Sequence, residues 1–193
     1  MTNTLLQRVA RDDLPEDLRA SWDYLHGRTG EPTFVEVFAN APELLTFVMN
    51  DFYKKIFFEG QVKLKYKELA RLRLSIAHGC LTRNKQNIPG CIEAGFSRAQ
   101  ICAIENFETG PFDDAEKAVL AYAEQMILTN LDGRLSPELY RRLKAHFSDH
   151  DILELGTCMA VIGGMAKLSF VLDLVEKEDY CPFAPAAEQT AAE

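Results

Sequence analysis

The stretch Glu68-Leu69-Ala70-Arg71-Leu72-Arg73-Leu74-Ser75-Ile76-Ala77-His78-Gly79-Cys80 decides how this chain is read. Leu69, Leu72 and Ile76 recur at helical spacing, which predicts a helix from about Val62 to His78. Gly79 suits a helix end, because glycine takes the left-handed backbone that closes one. A second helix is expected from about Thr82 to Ala94, interrupted at Pro89-Gly90. Cys80 then sits at the break between the two. A thiol at a helix start feels the partial positive charge of unpaired backbone N–H groups. Arg83, three residues on, falls on the same face and adds a full charge. Both favour the thiolate, the form that attacks peroxides and disulfides. Glu68, twelve residues before Cys80, is a candidate proton acceptor if the fold brings the two together.

Outward from this stretch, helix signals continue and strand signals do not. Asp13-Leu14-Pro15-Glu16 opens a helix carrying Leu18, Trp22 and Leu25 that is expected to end near Gly27. Asn40-Ala41-Pro42-Glu43 opens another, running to Gly60 with Phe47, Phe52, Tyr53, Phe57 and Phe58 around a Lys54-Lys55 pair. That aromatic group reads as core and interface. Ser97, Asp113, Ser136 and Ser148 each precede a helix with cap chemistry. The last helix is the longest and is read through Val175. Gly156, Gly163 and Gly164 within it mark a central or interface helix, approached closely by another. Hairpin turns and alternating Val/Ile/Thr runs are missing. The fold class is all-α. The expected organisation is one domain over residues 1–181 followed by a mobile tail over 182–193.

Composition narrows the partners. The 193 residues include 21 Lys and Arg against 29 Asp and Glu, a net charge of −8. Nucleic-acid binding wants a basic face to neutralise phosphates, so none is expected. No run of 18 consecutive apolar residues occurs and the N-terminus lacks a signal-peptide build, so no membrane partner and a cytoplasmic location are expected. Five cysteines cannot all pair within one chain. Cys102 and Cys158 read as core residues, and Cys181 as a tail thiol. His78, Cys80 and Cys91 lack the spacing of a zinc site, so neither metal nor cofactor is expected.

The signature stretch resembles the helix of the carboxymuconolactone decarboxylase and alkylhydroperoxidase D-like superfamily. There a Glu, a helix, a Gly-Cys pair and a Cys-x-x-Cys motif follow in this order. The resemblance continues through Glu93-Ala94-Gly95-Phe96-Ser97, Asp114 to Glu124, and His146-Phe147-Ser148-Asp149 into the last helix. It spans about 60–175, leaving 1–59 as a helical extension. It implies a helical bundle, and homo-oligomers, trimers or hexamers. The redox members of the family relay through a Glu, two cysteines and a His. The Glu matches Glu68 and the first Cys matches Cys80. The second Cys falls at Arg83 and the His at Asn87, so a Cys-x-x-Cys cycle is excluded at this motif. Cys91 remains open as a thiol that resolves Cys80.

Three readings fit these substitutions. The first is an alkylhydroperoxidase-like, peroxiredoxin-type antioxidant using Cys80 alone on a small hydroperoxide, with an external thiol reductant. Arg83, and His78 two residues before Cys80, would assist the thiol. The second is a decarboxylase-like enzyme on a small organic acid, with Arg83, Arg71 or Arg73 holding a carboxylate and Glu68 or a histidine protonating the enolate. The third is a non-catalytic binding or structural protein.

Overall fold

Helix termination at Gly79, and a helix start shortly after it, fold the signature stretch back on itself as a helical hairpin. The computed structural model describes residues 2–182. Its α-helices are α1 (Glu16–Thr29), α2 (Thr33–Phe38), α3 (Pro42–Thr46), α4 (Leu64–Ala77), α5 (Leu81–Glu93), α6 (Arg98–Cys102), α7 (Asp114–Gln125), α8 (Pro137–Lys144) and α9 (Asp149–Val171). A π-helix over Phe47–Phe58 continues directly from α3. No strand occurs among the described residues, so the fold is all-α as the sequence predicts.

The central helix is α4. Every residue from Lys67 to Ser75 is buried, charged ones included. A buried charge is tolerated only when paired. Accordingly Lys67 Nζ lies 2.7 Å from Glu154 and donates to Ile56 O at 2.7 Å. Arg73 Nε meets Glu124 at 2.5 Å, and Arg71 pairs with Glu68. The hairpin partner α5 and the helix α7 make the closest packing against α4. In α9, Ile152, Leu155, Met159 and Ile162 face the core while Leu153 and Val171 stay open. The last helix is therefore a flank with one free face rather than the centre. It is also long and apolar enough to cross a membrane by length and composition, with 44% of its most apolar stretch buried inside the bundle.

The cap residues behave as their chemistry dictates. Ser97, Asp113 and Ser148 each form a reciprocal capping box, and Ser136 Oγ accepts from Leu139 N–H. Other expectations need correction. α1 runs through Gly27 and ends at Gly30, whose φ of 74° supplies the left-handed stop. Asn40 does not cap α3, because the N-cap position falls on Ala41; the Asn40 amide nitrogen donates to Gln7 O and Val37 O. α2 has no counterpart among the helices expected from sequence. α5 continues through Pro89 without interruption, since one missing N–H removes a single bond from a helix held by α4. α9 stops at Val171, with Asp173 at positive φ turning the chain back. The expected mobile tail lies, from residue 183 on, outside the described residues.

The N-terminal helices dock on the body. Leu14, Leu18, Val35, Phe38 and Leu45 share one buried cluster with Val48 and Leu174. That docking places α1 and α2 over the hairpin and closes a cavity between them.

Candidate functional site

The cavity has a volume of about 400 Å³. Tyr24 and Leu25 of α1, Phe34 of α2, and Met49, Tyr53 and Phe58 of the π-helix form its apolar walls. Met165 of α9 and Val175 close one side, and Arg71, Arg83, Thr82 and Gln86 form the floor on the hairpin. Of the aromatic group around Lys54, Phe52 and Phe57 are core as expected, but Tyr53, Lys54 and Phe58 line the cavity. A larger polar groove between α7 and α8, about 690 Å³ and lined by Gln125, Asp132, Arg134 and Arg142, holds none of the sequence candidates.

Two guanidinium groups reach this apolar space. Arg83 Nη2 donates to Met165 O at 3.2 Å and Ser169 Oγ at 3.0 Å. Its charge meets no carboxylate among the described residues. Arg71 lies with its guanidinium 4.9 Å from the Phe57 ring centre. Arg71 Nη2 bonds Glu68, but its buried Nε has no partner. A buried donor left unpaired is rare and asks for an explanation. Asn87, one helical turn beyond Arg83, also has an unpartnered buried amide nitrogen.

Glu68 sits where α4 crosses the far end of α5. Gly90 makes the approach possible: a Cβ there would stand 2.9 Å from Arg71 Nη2 and 3.0 Å from Glu68 Oε2. Burial pushes the Glu68 carboxyl above its ordinary range, and the Arg71 guanidinium opposes that rise.

Cys80 is the N-cap residue of α5 and is 0% exposed. Its sulfur accepts from Arg83 Nη1 at 3.8 Å and packs among Ala166, Phe170, Val175 and Cys181. Arg83 therefore stands between cavity and thiol. Glu68 and Cys80 are not brought together, because Gly90, the neighbour of Glu68, is ten residues or about 15 Å of helix beyond Cys80. His78 faces away as well, its Nε2 accepting from Leu128 N–H at 3.1 Å. Burial, with Arg83 and Arg73 nearby, lowers its pKa to about 4, so it is neutral. Cys91 lies in another cluster with Leu69, Leu72 and Phe96, and its thiol donates to Glu68 O at 3.3 Å. Cys158 is core as expected. Cys102 is exposed, and Cys181 is buried beside Cys80 rather than free in a tail. No group of three or more potential metal ligands occurs among the described residues.

Comparisons with known proteins bear on this site. Residues 42–125 match the carboxymuconolactone decarboxylase family. The debrominase Bmp8 superposes with a TM-score of 0.72 at 20% identity, over 97% of this chain and 96% of that one. A cysteine-to-alanine variant of Bmp8 in complex with 2,3,4-tribromopyrrole gives 0.70 at 19%, over 98% and 96%. A protein of unknown function from Agrobacterium tumefaciens, proposed as the antioxidant defence protein AhpD, gives 0.62 at 19% and covers 70% of this chain and 91% of its own. A search of curated proteins found no match. At these identities the structural likeness speaks for the fold alone.

Proposed function

We propose that this chain, whose residues 42–125 match the carboxymuconolactone decarboxylase family and whose fold is that of alkylhydroperoxidase D-like proteins, is an enzyme acting on a small, mainly apolar organic acid held by Arg83 and Arg71. Family and fold support an antioxidant or decarboxylase-like role at family level. The observation that carries the finer reading is the pair of arginines opening onto one aromatic cavity: Arg83 has no ion pair among the described residues, Arg71 Nε is unpaired, and the carboxylate on the lining, Glu31, is engaged by Thr33. A planar guanidinium binds a carboxylate or an enolate oxygen through two parallel bonds. In an apolar cavity such a bond is stronger than in water.

The chemistry sets where the arginines act. A clamp on a departing carboxylate steadies the reactant and slows its loss. The clamp therefore serves by holding a second acid group, or the oxygen that gathers charge as an enolate forms. Glu68, paired with Arg71 behind the cavity lining, holds that guanidinium in place. The likeness to a debrominase that binds tribromopyrrole supports a small flat ring as occupant. Calorimetric titration with a set of small cyclic carboxylates and their neutral amides tests this reading. Acids are expected to bind more tightly than amides, and Arg83→Ala to weaken the acids by roughly ten- to a hundredfold. Equal binding of acid and amide would sink it.

A second reading, the peroxidase-like antioxidant built on Cys80, is supported by the 3.8 Å contact from Arg83 to its sulfur. It requires the cover over Cys80 to open so that a hydroperoxide and an external thiol can enter. We also propose a homo-oligomer, with the open face of α9 as contact.

A further inference from the structure

Beyond α9 the chain returns over the α4–α5 turn as a strap. Glu176 N–H donates to Thr82 Oγ1 at 2.9 Å, Glu178 N–H donates to Gly79 O at 2.8 Å, and Lys85 pairs with Glu176 at 3.1 Å. The strap ends in Cys181, 1% exposed, whose thiol donates to His78 O at 3.1 Å. Its α-carbon lies only 2.5 Å from where a Cβ on Gly79 would stand. Gly79 has a φ of +59°, so glycine answers both the turn and this close approach. Cys80 is the next residue. With consecutive α-carbons about 3.8 Å apart, the two cysteine α-carbons are within about 8 Å of each other. A disulfide spans roughly 4.4–6.8 Å between α-carbons. The strap is held by part-buried hydrogen bonds, the Lys85–Glu176 ion pair and the buried side chains of Leu174, Val175 and Cys181, so closing the remaining gap of about 1 Å takes a local opening of the strap that breaks these contacts.

We propose that Cys80 and Cys181 are a redox pair, joined through the strap in place of the pair a Cys-x-x-Cys motif would supply. The inference is independent of the organic-acid reading. When the strap lifts, the Cys80 thiolate attacks the outer oxygen of a hydroperoxide. The O–O bond breaks, the alkoxide leaves and takes a proton to become an alcohol, and Cys80 becomes a sulfenic acid. The Cys181 sulfur attacks that sulfur, the S–O bond breaks, and water leaves with the Cys181 proton. Two thiols have given two electrons to one peroxide, and the strap is now covalently tied to the start of α5. Cys91 cannot take this part, since it lies eleven residues, about 16 Å of helix, from Cys80.

The test uses the full chain. Reduced protein is treated with one equivalent of cumene hydroperoxide, its remaining thiols are blocked, and its peptides are mapped by mass spectrometry without reduction. The expected product is a linked pair of peptides containing Cys80 and Cys181, at monomer mass on a non-reducing gel and reversed by dithiothreitol. In Cys181→Ser, dimedone should capture a sulfenic acid on Cys80 and no linked peptide should form. A link through Cys91, Cys102 or Cys158, a link only between chains, or both thiols surviving the peroxide would each overturn the proposal. Mapping the native chain needs no variant, so the outcome does not depend on whether a mutant folds.

Discussion

His78 shows how one buried side chain sets a pH limit. Its imidazole is held neutral, at about 4, while an unfolded histidine titrates near 6.5. Falling pH therefore protonates the unfolded chain first. The stability that the neutral ring contributes is complete above about pH 6.5 and is lost as pH falls toward 4, on the order of 2–3 kcal/mol in all. His78→Gln keeps an acceptor for Leu128 N–H and should flatten this dependence. Urea unfolding of both proteins at pH 7.5 and 4.5 checks it, and equal losses would remove His78 as the cause. Single residues also mark how far the sequence can be read. That Glu68, Arg83 and Asn87 fall on one helical hairpin is legible, because the helix periodicity and the Gly79 break are local. The pairing of Cys80 with Cys181 is not, since a contact across about a hundred residues leaves no local pattern. Cys102 falls on an apolar face in the sequence pattern, but α6 is five residues long and too short to bury it.

At the scale of elements, the segment after Pro42 has the pattern of one α-helix, and its aromatic content agrees with that. Twelve residues of it are π-helical instead. Side-chain periodicity cannot separate i→i+5 from i→i+4 bonding in a run this rich in apolar residues. The difference matters for the site, because π-helical segments concentrate at functional positions. Here Met49, Tyr53 and Phe58 come together at the cavity. Deleting Asn50 should let the segment relax to α-helix and rotate Tyr53 and Phe58 off that line. Acid binding is then expected to fall by roughly tenfold or more, with helical circular dichroism unchanged, since the walls bury most of a ligand. Retained affinity would show that the π-helix is not a wall that matters. Cap chemistry, by contrast, is fully legible at Ser97, Asp113, Ser136 and Ser148, because a cap is a local bond between a side chain and the next turn.

At the scale of the molecule, α9 leaves Leu153, Leu168 and Val171 exposed at 70%, 38% and 68%, with Gly164 between them open to close approach. Leu168→Glu should shift the oligomer toward monomer by light scattering while leaving the monomer's helical content intact. A wild-type chain that is monomeric at all concentrations would end the self-association proposal. The all-α class and the hairpin are legible because hydrophobic periodicity is local. The cavity is not, because α1, α2, the π-helix and Val175 meet only in three dimensions. That assembly has a temporal consequence. A nascent chain still on the ribosome lacks Met165 and Val175, so it has the arginines of the hairpin but no enclosed space around them. On the organic-acid proposal, ligand would be captured only once Met165 and Val175 are in place, so it would act on maturation after synthesis rather than on folding during it.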